Sequence, residues 1–386
     1  MPPLRFPLMV LAAGSLLLGP AFARSTPAES PARTLRDAAP PHVLIGAAAS
    51  ATDLQNPDFV ALYLRHFNAI TAHADMMPAR MVDDQRRYHF ERADTVARFA
   101  DDHHLTLYGH MLLWQHETRD WLFKDTAGKP LPRDQALANL KSYIDTVVGR
   151  YRGKVKSWDV VNEAISDEPG EYLRDLPARR AIGDDFIVKA FEFAHAADPD
   201  AELYYNDYNI ELPWKRERTL RLLRELRAAG VRIDAVGIQG HWMLDPNGPA
   251  PHVISDAIRE FHAAGFKVMI TELDVDVLPR TTSGANLESV EHGPNPYPDG
   301  LPDEIQQQLA KRYGEIFDAI LEPGVVTMIT FWGTHDGHSW LNNFPVKRRT
   351  NHPLLFDRTF QPKPAFDAVI EAIERAKQRQ ALKPAA

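Results

Sequence analysis

The stretch APHVISDAIREFHAAGFKVMITELDV, Ala250 to Val275, holds one full helix-then-strand unit. Pro251 suits a first helical turn, Val253, Ile254, Ala257, Ile258 and Phe261 repeat on one face, and Gly265 marks the stop. A nearly apolar run follows at once and closes on Glu272 and Asp274. Working outward, seven more such runs appear: HVLIGAAA (42–49), AITA (69–72), TLYGHMLLW (106–114), VKSWDVVNE (155–163), ELYYNDYNI (202–210), AVGIQGH (235–241) and TMITFWG (327–333). Amphipathic segments separate them. In DQALANLKSYIDTVVGRY (134–151), Leu137, Leu140, Ile144, Val147, Val148 and Tyr151 keep helical spacing after a capping Asp134. Parallel strands covered on both faces read as apolar throughout, so eight such units predict a single α/β domain, a closed (β/α)8 TIM barrel. A doubly wound open sheet is the alternative, and GAAAS after the first strand lacks the G-x-G-x-x-G spacing of a dinucleotide site.

The first residues stand apart from this repeat. Residues 1–23 combine Arg5, an apolar run from Leu8 to Leu18 and the small-x-small ending Ala21-Phe22-Ala23, the pattern of a signal peptide and too short for a bilayer anchor. Export to the periplasm or beyond is expected. Residues 24–41, rich in Pro, Ala and charge, are predicted to be a flexible leader, 42–378 the catalytic domain and 379–386 a disordered tail. No cysteine is present among 386 residues, which excludes disulfides, thiolate nucleophiles and zinc-thiolate sites. With 44 basic and 52 acidic residues the net charge is -8, and no basic stripe suggests nucleic acid or an anionic membrane as partner. A neutral substrate fits better; no cofactor is implied, and nothing points away from a monomer.

In a barrel the polar residues that close each strand line the active site. Here they are Asn162-Glu163, Asn206-Asp207, Gln239 with His241, Glu272 with Asp274, and Trp332 with Asp336 beyond. Two strand-end glutamates, Glu163 and Glu272, could face each other across the mouth, as glycoside hydrolysis requires: one protonates the departing oxygen while the other attacks the anomeric carbon or activates water. A separation of ~5–5.5 Å would mean retention and ~6.5–9.5 Å inversion. Trp114, Trp332 and Trp340 offer indole faces for pyranose C–H surfaces.

The segments WDVVNEA (158–164), LYYNDYNIE (203–211), IDAVGIQGHW (233–242), ITELDV (270–275), FWGTHDGHSW (331–340) and PLLFD (353–357) resemble the family ten glycoside hydrolases, the retaining endo-β-1,4-xylanases. The resemblance runs from about residue 42 to 375. It implies that Glu163 is the acid/base and Glu272 the nucleophile, and that Asn162 contacts the 2-hydroxyl of the sugar being cleaved. It further implies that Gln239 and His110 line that subsite, that Trp114 and Trp332 shape it, and that His241 and Asp274 tune Glu272. Asn206 and Trp340 are expected among the substrate-binding residues, and no metal is expected.

Two departures from the family pattern stand out. Where it carries T-x-E-N-x-M-K, this chain has Thr71, Ala72, His73, Ala74, Asp75, Met76 and Met77, so the three polar residues that hold sugar on the non-reducing side become His73, Ala74 and Met77. Losing hydrogen bonds of this kind costs ~1–3 kcal/mol each, which predicts altered glycone recognition: short, decorated or non-xylan β-glycosides, or a grip mainly on the aglycone. The histidine that usually follows the tryptophan of the third strand is Gln115. Two rival readings are a metal-dependent hydrolase, for which HDGH (335–338) offers no ligand signature, and a non-catalytic sugar-binding barrel, against which the intact Glu163 and Glu272 speak.

Overall fold

The computed structural model describes residues 33–244, 248–279 and 289–382. Its strands are β1 Leu44–Ala48, β2 Ala69–Thr71, β3 Thr106–Gly109, β4 Val155–Asn162, β5 Glu202–Asp207, β6 Ala235–Ile238, β7 His241–Met243, β8 Lys267–Asp276 and β9 Val326–Phe331. Neighbours run β6-β5-β4-β3-β2-β1-β9-β8, all parallel, and β8 pairs back to β6, so eight strands close into the expected barrel. Each returns through helical chain on the outside; the helix Pro251–Ala263 buries Ile254, Ala257, Ile258 and Phe261 as its spacing predicted. Ala69, Tyr108, Tyr204, Ala235, Met269 and Met328 fill the barrel's interior, while a far larger apolar layer packs between strands and helices.

The sixth run does not form one strand. It breaks after Ile238 and resumes as β7, with His241 beside Asp274 of β8. Gly240 makes the turn at φ +83°, where a side chain would be strained and its Cβ would press on Ile270. The break re-aims His241 from the barrel wall toward the mouth.

Secondary structure is present before the predicted boundary at 42. Leu35–Ala38 is a helical turn capped by Thr34, Leu35 is fully buried, and Arg36 reaches the carbonyls of Leu64 and Phe67. An apolar residue with a covered slot in the outer layer outweighs the polar composition around it. The last helix, Pro364–Ala381, likewise runs past 378 and into the expected tail. Asp134 sits in the first turn of the helix Arg133–Arg150 and not at its cap, which is Pro132. The expected signal peptide lies outside the described residues. No helix among the described residues is long and apolar enough to cross a membrane.

After β8 the chain is described again from residue 289. This part is fastened: Val290 pairs with Val346, Asn295 Oδ1 accepts from the Thr350 amide, and His352 Nε2 meets the Tyr297 carbonyl at 3.0 Å.

Candidate active site

Glu163 follows the last residue of β4, and its own backbone turns into the left-handed region at φ 57°. For a residue with a Cβ that costs ~1–2 kcal/mol and is tolerated where surrounding bonds over-determine it. Here the Glu163 amide donates to the Asn206 carbonyl at 2.9 Å, and Ala164 and Ile165 both donate to the buried Tyr205 hydroxyl. The carboxylate receives Trp114 Nε1 at 2.9 Å on Oε2 and Gln239 Nε2 at 3.0 Å on Oε1. Asn162 Nδ2 lies 3.5 Å from the same Oε1.

Glu272 sits mid-way along β8, buried, with its amide donating to the Gln239 carbonyl. Asn206 Nδ2 donates to its Oε1 at 2.7 Å and His241 Nε2 meets Oε2 at 3.1 Å. A layer of amides joins the two glutamates: Asn162 Oδ1 accepts from both Asn206 (3.2 Å) and Gln239 (3.1 Å). Thr271 Oγ1 donates to Asn206 Oδ1 at 2.6 Å and fixes which way that carboxamide points. Gly237 makes room for it, since a Cβ there would collide with Asn206. Asn206, expected to bind substrate, is fully buried with both ends of its carboxamide engaged by protein groups, Glu272 among them.

The imidazole of His241 is held between two carboxylates, Nε2 on Glu272 and Nδ1 on Asp274 at 3.0 Å. Burial opposes its charge, but Asp274 and Glu272 overcome this and push its pKa up to about 10. Trp340 Nε1 donates to the other Asp274 oxygen at 2.7 Å, so Trp340 steadies the pair as well as walling the cleft. Burial would raise Glu272, yet His241, the nearby His110 and the Asn206 bond outweigh it and hold the carboxyl below the ordinary glutamate range.

His110 projects from the chain after β3, buried, with Nδ1 donating to Asp159 Oδ2 at 3.1 Å and its ring edge-on to Trp332 at 4.9 Å. Sequence reasoning missed Asp159. Its signal was there: a carboxylate flanked by Trp158, Val160 and Val161 in the middle of a barrel strand needs a buried partner. Burial lifts Asp159 to about 7, and the carboxylates around His110 outweigh burial to lift the imidazole. Trp114 has the His116 ring edge-on at 4.9 Å, and Gln115 Nε2 lies 3.0 Å from His116 Nε2.

The departures come together at one end. His73 opens the turn His73–Met76 after β2 at φ 37°, its ring 5.3 Å from Trp332. Burial and neighbouring His110 depress its pKa, keeping the imidazole uncharged at neutral pH. Ala74 presents no polar group and Met77 is buried. Asp75, also missed, pins the turn: its oxygens take the Ala51 amide and Arg92 Nε, both at 2.6 Å. Beside His73 lies a cleft of about 360 Å³, lined by Ser50, Asp53, Trp332, Thr334, His338 and Trp340 among others. His338 Nδ1 bonds Asp53 at 2.5 Å across the loops after β1 and β9. His335 Nδ1 accepts from the Gly337 amide, so both histidines of HDGH have protein partners.

Comparison with known proteins matches residues 34–372 to the glycosyl hydrolase family 10 model. The chain is 39% identical over 349 residues to endo-1,4-beta-xylanase A of Xylanibacter ruminicola, covering 88% of this chain and 94% of that protein. It is also 39% identical over 327 residues to an endo-1,4-beta-xylanase of Geobacillus stearothermophilus, covering 84% and 94%. Among solved structures, a GH10 endoxylanase retrieved from a sugarcane soil metagenome superposes with TM-score 0.82 at 36% identity, over 88% of this chain and 99% of that one. A xylanase from Paenibacillus barcinonensis complexed with a conduramine derivative gives 0.80 at 36% identity, over 87% and 98%.

Proposed function

The chain belongs to glycosyl hydrolase family 10, and from that premise we propose that it cleaves β-1,4-linked xylan or xylo-oligosaccharides by double displacement, with glycone recognition unlike that of its relatives. The observation that carries this reading is the unequal treatment of the two carboxylates. Glu272 is buried against an imidazolium and a carboxamide that keep it ionised, as a nucleophile must be. Glu163 is held by an indole N–H and two carboxamides, and among the described residues no cation bonds it.

In the first step a Glu272 oxygen bonds to the anomeric carbon as the glycosidic C–O bond breaks, and Glu163 passes its proton to the departing oxygen. In the second, Glu163 takes a proton from water, whose oxygen displaces Glu272 and restores the starting configuration. Asn162 and Gln239 face the sugar with the groups their mutual bonds leave free; His110 and Trp332 close it in. His241 keeps Glu272 charged and oriented, with Asp274 behind it.

On the glycone side the neutral His73, Ala74 and Met77 favour short, decorated or non-xylan β-glycosides over long linear xylan. The N-terminal apolar segment supports an exported enzyme. The test is hydrolysis of an aryl β-xyloside and of linear, arabinosylated and glucuronosylated xylans, with proton NMR of the first-formed anomer. Retention, and loss of all turnover in Glu272→Ala, is expected; an inverted first product would defeat the mechanism, and ordinary linear-xylan kinetics would defeat the altered glycone site.

A further inference from the structure

Among the described residues two large apolar side chains are exposed, Leu382 near the end of the chain and Trp214, at 41%. Trp214 is the second residue of the helix Pro213–Ala228, which leaves β5. Because strands of the barrel end at the catalytic face, a helix that follows one begins at that rim. The rest of the first turn is anchored inward. Lys215 is fully buried, with Nζ 2.8 Å from Asp207 and 3.0 Å from Asp167, and it lies 3.6 Å from the centre of the Tyr208 ring.

Trp214 is held without being covered. The Arg218 guanidinium lies 5.3 Å from its ring, and Arg218 NH1 donates to the Ser166 carbonyl at 2.7 Å and more loosely to Glu168. Those carbonyls belong to the loop that leaves β4 directly after Glu163. One end of the indole is thus tied to the segment carrying the proposed acid, while much of the side chain stays in water. Exposed tryptophan forfeits the apolar burial that ordinarily justifies so large a side chain, and its amphipathic, rigid ring is suited to stacking on a sugar face.

Its place in the barrel identifies the sugar. In the ring β1-β2-β3-β4-β5-β6-β8-β9, β5 stands four strands from β1, directly across the mouth. The cleft beside His73 is lined by residues after β1 and β9, so a chain entering there and crossing the two glutamates leaves over the loops of β4 and β5. Resting on the proposed reading of the site, we infer that Trp214 is an outer platform for a xylosyl residue of the leaving-group portion of a β-1,4-xylan chain. It supplies, on the aglycone side, affinity that the turn His73–Met77 no longer supplies on the other.

The experiment pairs binding with turnover. In a Glu163→Gln background, which retains the cleft but cannot donate the proton, calorimetric titration gives Kd for xylohexaose and xylobiose with and without Trp214→Ala. Removal of the ring should weaken xylohexaose roughly five-fold, leave xylobiose unchanged, and be repaired by Trp214→Phe. In otherwise wild-type protein, Trp214→Ala should raise KM for polymeric xylan and leave the aryl β-xyloside unaffected. Equal affinity for xylohexaose with and without the ring overturns the platform, as does an equal loss on every substrate. If the wild type turned over no xylan-type substrate while the binding difference held, the proposed activity would fall and the platform would stand.

Discussion

Around Glu163 and Glu272 all four carboxylate oxygens have a hydrogen-bond donor, and the donors are themselves oriented by a further ring of Thr271, Asn162, Asp274 and Trp340. At the other end of the site the turn His73–Met76 is pinned from behind, through Asp75, and offers the cleft the uncharged imidazole of His73, while Ala74 carries no polar group and Met77 is buried. Among the described residues no hydrogen bond reaches the His73 ring, which rests on Trp332. The two regions are therefore built differently: every carboxylate oxygen of the glutamates has a donor, while the side chains of His73, Ala74 and Met77 make no hydrogen bond to either glutamate.

The largest effect should come from the saturated side. Glu272→Ala should lower kcat by at least about 10⁴-fold on every β-glycoside tested while the thermal unfolding midpoint moves little, as read by steady-state kinetics and circular dichroism. Next is His241→Gln, which removes the imidazolium from Glu272. Because Glu272 is held below its ordinary value, the nucleophile stays charged into mildly acid solution, and activity falls only as pH drops through that depressed value. Without His241 the acid limb of the kcat/KM profile should shift to higher pH, with kcat reduced about 10²-fold. A pH profile that keeps its acid limb in place would show that His241 does not hold the charge.

The other region should respond with the opposite sign. Restoring polar groups together, His73→Glu, Ala74→Asn and Met77→Lys, should raise kcat/KM on linear xylo-oligosaccharides about ten- to a hundred-fold and leave an aryl β-xyloside within about two-fold, since ~1 kcal/mol per recovered bond acts through glycone binding. No gain would erase the contrast drawn above. The smallest effect is expected from Asp53→Asn, which breaks the pair with His338. Burial raises Asp53, but His338 and Ser50 outweigh it and hold it at about 2, so its stabilising contribution is present above the usual carboxylate range and is lost as pH falls through about 2. His338, raised by Asp53, contributes fully below the ordinary histidine value and loses its contribution as pH rises through its elevated one. With His338 half exposed, the substitution should cost no more than about 1 kcal/mol in urea unfolding at neutral pH.

Legibility in the sequence followed the same divide between periodic and non-local information. Helix Pro251–Ala263 and strand β8 could be read directly, because burial of one face or of both leaves a period in the residues themselves. Residues that close strands, Asn162, Glu163 and Gln239, were readable for a related reason: a parallel barrel sends every strand end to one face; Glu272 was read as a strand end, but β8 continues past it to Asp276. Asp159 and Asp75 were not, for each is justified by a partner distant in sequence, His110 for the one and Arg92 with the Ala51 amide for the other. The helical turn Leu35–Ala38 escaped notice because four residues carry no period; only the slot that buries Leu35 makes it ordered.

By itself the sequence determined that this protein is an α/β barrel, where its two carboxylates stand, and that His73, Ala74 and Met77 follow the second strand, since all of these follow from local pattern and strand order. Only the tertiary structure decided what state those groups are in. The break at Gly240 puts His241 between Glu272 and Asp274, and the space at Gly237 admits the Asn206 carboxamide to Glu272. Charge in a buried site depends on which dipoles and ions lie within a few ångströms, and that is a property of chain segments brought together, not of any one of them.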